Sequence, residues 1–280
     1  EHGELLALKG LTETYEDVAI AKMQEIRLEV LRSRKFLDGV ADIYSLAKAS
    51  YFSQVLSIAN KKEREQEIKS IYKNHKPVAV FISGNHSLLG SVVFQTYKVF
   101  LEFCRRVNCD KVILGDIGKY LAIGERSQFK FSFFPLEDFT IIEEQLKPIV
   151  DFIAQYEKVF IIYPKFESVL LQVPQIDDVS GGVIIEQSLK GKKRYSFEPS
   201  PKEVMTYFEG QIIGTLFRQK ILESMLAKYS SRLTVMDQAT QTIQKYLNVN
   251  RIKAIMENKK VQNKKMLGSF SGISLWEDAQ

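Results

Sequence analysis

Cysteine, histidine and proline are scarce in this chain, at two, three and seven of 280 residues. Cys104 and Cys109 are five apart, at what reads as the end of a helix and the turn after it. That spacing is neither a redox Cys-x-x-Cys nor a zinc pattern, so two unpaired thiols in a reducing compartment are expected. His2, His75 and His86 are scattered, and no metal site is expected. No apolar run approaches the roughly 20 residues that a spanning helix needs. The longest candidates, Val78–Ile82 and Val159–Ile162, have strand length, so no direct membrane insertion is expected. The net charge of +5 is well below the footprint of a dedicated nucleic-acid binder, which argues against a nucleic-acid partner. No methionine opens the chain, so a targeting peptide is not legible in it.

What is plentiful is helix-forming sequence at both ends. With 45% hydrophobic and 26% charged residues the chain folds, as one or two ordinary domains. From Leu5 to about Ile58 apolar residues recur at threes and fours: Leu8, Leu11, Tyr15, Val18, Ile26, Val30, Leu37, Val40, Tyr44 and Ala47. This spacing predicts an amphipathic helix with one side to bury; the other carries Lys22, Arg27, Glu29, Arg32, Arg34 and Lys35. The polar stretch Lys61–Lys76 then leads to Pro77, which is expected to end the arm.

Between Pro77 and Leu189 strand and helix signals alternate. Strands are expected at Val78–Ser83, Lys111–Gly115, Phe129–Phe134 and Lys158–Tyr163, helices at Val92–Val107 and Thr140–Gln155, and a further strand pair at Leu170–Ile176 and Val183–Leu189. The alternation predicts a small open sheet flanked by helices. The glycine-containing turn Ser83–Ser91 lies where mononucleotide-binding folds seat phosphates. It matches neither Gly-x-Gly-x-x-Gly nor a P-loop, and is read as a chain reversal with no cofactor. Asp177 and Asp178 are adjacent, face opposite sides of an extended chain, and are read as solvated loop charge. No catalytic constellation of Ser/His/Asp or Cys/His type can be named.

The C-terminal arm opens with Ser200-Pro201-Lys202-Glu203, a cap, a proline suited to the first helical position and a capping-box glutamate. Its stripe runs Val204, Phe208, Ile212, Leu216, Ile221, Met225, Tyr229, Leu233, Met236, Ile243 and Leu247. The two arms, about 60 and 75 residues and so roughly 90 and 110 Å at about 1.5 Å per residue, are expected to pack as an antiparallel coiled coil. The fold class is thus α/β: a long antiparallel coiled coil plus a small Rossmann-like domain. Its expected segments are an N-terminal helical arm at 1–76, an α/β domain at 77–196 and a C-terminal helical arm at 197–280.

Several short blocks carry a resemblance. They are Phe197-Glu198-Pro199-Ser200-Pro201, Leu222-Glu223-Ser224, and Ser231-Arg232-Leu233-Thr234-Val235-Met236-Asp237-Gln238-Ala239-Thr240. With Tyr163-Pro164-Lys165-Phe166-Glu167-Ser168, the turn after Phe81-Ile82-Ser83-Gly84, and Val18-Ala19-Ile20-Ala21-Lys22-Met23, they resemble the gamma subunit of rotary F-type ATP synthases, in order and along the whole chain. The match is divergent. Lys9–Tyr15 has lost the family's basic lead-in, and the chain closes on Phe270, Ile273, Leu275 and Trp276 in place of small residues.

The resemblance implies a non-catalytic central rotor shaft that couples ion-driven rotation to ATP synthesis or hydrolysis in surrounding subunits. The alternative is the shaft of an F1-like ATPase module driving another process. Implied partners are the alpha3beta3 ring of F1, an epsilon/delta-type central stalk subunit and the membrane c-ring. The implied location is peripheral, on the cytoplasmic face of the bacterial inner membrane or on an organellar inner membrane. Candidate partner-interface residues are Arg251, Lys253, Lys259, Lys260, Lys264 and Lys265, either meeting acidic loops of the catalytic subunits or forming a solvated face. Met266, Phe270, Ile273 and Trp276 complete the set, either seated in an apolar bearing or capping the coiled coil itself.

Overall fold

The computed structural model describes residues 2–56, 74–85, 90–125, 129–138, 141–179 and 201–277, without the side chains of 34, 38, 40–49, 51–56, 201, 202, 204–206, 208, 209 and 269–277. In chain order the elements are helix α1 (His2–Leu56), strand β1 (Asn74–Ile82), helix α2 (Val92–Arg106), strand β2 (Asp110–Leu114), helix α3 (Asp116–Gly124), strand β3 (Ser132–Phe134), helix α4 (Glu143–Ile153), strands β4 (Tyr156–Phe166) and β5 (Gln172–Asp178), and helix α5 (Pro201–Glu277). The chain divides into two compact units: Ala19–Leu233, and Glu1–Val18 with Thr234–Gln280.

The larger unit is built on a five-stranded sheet of order β3-β2-β1-β4-β5. The first four run parallel and β5 is antiparallel to β4, with Phe166 opposite Gln172. Parallel strands need helical crossovers and are buried on both faces, and alternation along β1 divides the core accordingly. Val78, Val80 and Ile82 pack with Val112, Leu114, Val159, Ile161 and Tyr163 against α4, α1 (Ala19, Ile26, Val30) and α5 (Phe217, Ile221, Leu222, Met225). Ala79 and Phe81 face the other way, with Ile113 and Ile162, onto Val93, Tyr97 and Phe100 of α2 and Ala122 of α3. Residues 221–232 of α5 are buried all the way round. In this unit α1 and α5 run antiparallel: Glu29 faces Arg218, whereas Ile20 shares a groove with Leu233.

In the smaller unit the same two helices meet through a polar seam. Thr240 Oγ1 lies 2.8 Å from Thr12 Oγ1 and 2.7 Å from Glu16 Oε1, donating to one of the two. Met236, Ile243 and Leu247 are the buried apolar positions of α5 here. The shielded line on α1 is Leu5, Lys9, Thr12 and Glu16, steps of four, three and four as a heptad requires. The stripe read from apolar residues ran through Leu8, Leu11, Tyr15 and Val18, which are exposed, Leu11 at 54%. Periodicity locates a face by residue type, and on this stretch of α1 the face turned to α5 is the polar one.

Other expectations are corrected. Pro77 sits inside β1, which starts at Asn74. Helix α3 was not anticipated; it starts beyond Gly115, whose φ of +89° and tight approach to Ser83 Oγ demand glycine. The strand expected at Leu170–Ile176 is β5 and pairs with β4; its expected mate Val183–Leu189 lies outside the described residues, as do Glu198-Pro199-Ser200.

Candidate functional site: the joint between the C-terminal helix and the sheet

Two charged clusters fasten α5 to the sheet within the larger unit. The first forms where β4 and β5 pass under α5. The Tyr163 hydroxyl lies 2.9 Å from a carboxylate oxygen of Asp177 and 2.9 Å from Glu223, and accepts from Lys220 Nζ at 3.2 Å. Lys220 also meets Asp177 at 2.5 Å, and Gln219 donates to Glu223 at 3.0 Å. Burial, reinforced by the Glu223 and Asp177 charges, pushes the Tyr163 phenol far above its ordinary range, so it stays protonated and donates. Burial acts to raise Asp177 as well, but hydrogen bonds from Lys220 and Gln175 outweigh it and lower the carboxyl below its usual range. Asp177 is thus not solvated loop charge: it is half-buried at the end of β5 and paired. Asp178, facing the opposite way, is exposed.

The second cluster sits at the carboxyl end of β1. Lys228, 3% exposed, donates to Ser83 O at 2.9 Å and pairs with Asp138 at 2.7 Å. Asp138 also accepts the Asn85 amide at 2.5 Å. Ser83 Oγ reaches Leu114 O at 2.5 Å and accepts Gly118 N–H at 2.9 Å. In a sheet of this order the crevice beyond β1 and β4 is where doubly wound folds hold ligands. At that end of β1 the chain's own Lys228 binds Ser83 O and Asp138, so Ser83 serves as a socket for α5.

A third contact locks the β4–β5 turn. Ser230 Oγ donates to Val169 O at 2.8 Å and receives Gln172 Nε2 at 3.1 Å. Next to it Arg232 is 6% exposed, with its guanidinium 5.5 Å from the Tyr229 ring and no partner for Nε among the described residues. Burial pushes Tyr229 up to about 12. Ser230 thus fastens α5 to the β4–β5 turn.

The residues proposed for partner contact lie elsewhere, in the smaller unit. Arg251, Lys253, Lys259, Lys260, Lys264, Lys265 and Met266 are all exposed on α5. The side chains of Phe270, Ile273 and Trp276 lie outside the described residues.

The family described as ATP synthase matches residues 5–258. This chain belongs to the ATP synthase gamma family. It is 19% identical over 243 residues to the ATP synthase gamma chain of Roseiflexus castenholzii, covering 83% of this chain and 81% of that one. To the gamma chain of Chloroflexus aurantiacus it is 23% identical over 247 residues, at 82% and 80% coverage. A chain in the Tetrahymena thermophila mitochondrial ATP synthase central stalk and c-ring structure shares its fold, with a TM-score of 0.57 at 18% identity over 82% of this chain and 99% of that one.

Family membership gives the joint its meaning. Two of the blocks that carried the resemblance meet in it, through Tyr163 and Glu223, and Ser83 of a third accepts from Lys228. Sequence reasoning missed Lys220, Lys228 and Asp138. The available signal was a lysine set within Ile221–Ser231, a run otherwise of core spacing, where a charge must be paired or expelled.

Proposed function

We infer that the chain is the central rotor shaft of a rotary F-type ATPase, transmitting rotation between an ion-driven membrane ring and surrounding nucleotide-binding subunits. The observation that carries this reading is the joint itself. A 77-residue helix is anchored by buried ion pairs to a sheet on one stretch and paired antiparallel with α1. Torque applied to the sheet reaches α5 through Lys228–Ser83, Lys228–Asp138 and Tyr163–Glu223. In this reading bound nucleotide belongs to neighbouring subunits. The partners of this reading are the alpha3beta3 ring, an epsilon/delta-type stalk subunit and the c-ring. Its location is peripheral at the membrane carrying that ring; no helix among the described residues is long and apolar enough to cross one.

Contact with the ring is assigned to the exposed basic run Arg251–Lys265 and the apolar positions from Met266 onward. The exposed stripe Leu8, Leu11, Tyr15 and Val18 supports such a role, since a helix turned to water has no use for it. Affinity purification of the chain from its native cells, followed by mass spectrometry, is the test. Stoichiometric nucleotide-binding subunits are expected to come with it, and their absence would overturn the reading.

A further inference from the structure

The sheet domain carries a reactive pair that the shaft role does not use. Cys104, on the last turns of α2, and Cys109, at the start of β2, place their Sγ atoms 3.7 Å apart. Both thiols are free, Cys109 buried and Cys104 half-buried. Cys109 borders a cleft of 350 Å³ lined also by Asp110, Lys111, Lys130, Phe131 and Tyr156. The charged residues of its lining are two lysines, Lys111 and Lys130, against one carboxylate, Asp110. We propose that Cys104 and Cys109 form a thiol–disulfide exchange site whose co-reactant is a small acidic disulfide of the glutathione type, admitted by the basic cleft.

The two sulfurs divide the work. The hydrogen bond shared by the two sulfurs lowers the Cys109 thiol to about 7, against the opposing effect of burial and with help from Lys111, while Cys104 is pushed up. Cys109 is therefore the readier of the two to ionise, and thiolates attack. Its sulfur displaces one half of the incoming disulfide as a thiolate that takes a proton from water, leaving a mixed disulfide on Cys109. Cys104 then loses its proton to solvent and attacks the Cys109 sulfur, closing the Cys104–Cys109 bond and releasing the second half. Two protein thiols are oxidised by two electrons and one disulfide is reduced to two thiols. The short separation makes the second step intramolecular, so the mixed disulfide does not accumulate.

The test equilibrates the full chain with glutathione disulfide and reduced glutathione, blocks free thiols by alkylation and reads the peptide containing both cysteines by mass spectrometry. Wild type is expected to show the internal disulfide, and Cys104→Ser to stop at one glutathionyl group on Cys109. Cystamine, a cationic disulfide, is expected to react about tenfold more slowly at low salt, an advantage that added salt erases. Three results would overturn the proposal: a wild-type pair that stays reduced, a mixed disulfide that persists in wild type, or cystamine reacting as fast as glutathione disulfide. Circular dichroism of Cys104→Ser shows whether it is folded. If it is not, Cys104→Ala takes its place.

Discussion

Lys228 shows how much one side chain can carry. Its pair with Asp138 is almost wholly shielded, at 4% and 7% side-chain exposure, so each charge depends on the other. Replacing Lys228 by Met removes the ammonium partner of a buried carboxylate, and should cost about 3–5 kcal/mol in urea unfolding. Adding Asp138→Asn should recover part of that loss. A double variant no more stable than the single one would show that the pair is not what the lysine supplies. Asp177 gives a pH signature. Its carboxyl is lowered in the fold, so its contribution is complete above the unfolded value of about 3.9 and disappears as pH falls through the lower folded value. Asp177→Asn should therefore be less stable than wild type at pH 6 by about 1.5–3 kcal/mol, the worth of a hydrogen bond to a charge. The difference should shrink in acid. Equal acid slopes in the two proteins would refute it.

Among the elements, α5 is two helices in one. Residues 221–232 are buried on every side, whereas every described side chain from 251 to 268 is exposed. Helical hydrogen bonds alone are marginal in water, and packing sets how seldom they open. Amide exchange on the isolated chain should be slowest at 221–232 and faster by several decades beyond 251. Uniform protection along α5 would contradict this. The contrast explains what the sequence could and could not convey. The buried stripe Ile221, Met225, Tyr229 was readable because core residues at helical spacing announce themselves, and strands β1, β2 and β4 were readable as short apolar runs. The face of α1 that meets Thr240 was not, because Thr12 and Glu16 look like surface residues until their partner is known. Nor was α3, whose existence depends on a left-handed Gly115 where strand simply seemed to end. The joint was half readable: its blocks marked the family, while Lys228 and Asp138, 90 residues apart, and Lys220 and Asp177 meet only in the fold.

At the scale of the whole molecule, a rotor shaft meets the subunits around it through its exposed surface. The basic run is the place to examine that. Arg251, Lys253, Lys259, Lys260, Lys264 and Lys265 are exposed, and exposed charges contribute little to folding. Changing all six to Gln should leave the unfolding midpoint of the isolated chain nearly unmoved, within about 0.5 kcal/mol per substitution. If the run faces acidic loops of a surrounding ring, association with purified nucleotide-binding subunits should weaken and slow. Its dependence on salt should flatten, because steering between opposite charges is what salt screens. Rotation-coupled ATP hydrolysis should lose efficiency in the same preparation. Unchanged association, unchanged salt dependence and unchanged coupling would instead make the run a solvated face and shift the contact to the apolar stripe Leu8, Leu11, Tyr15 and Val18.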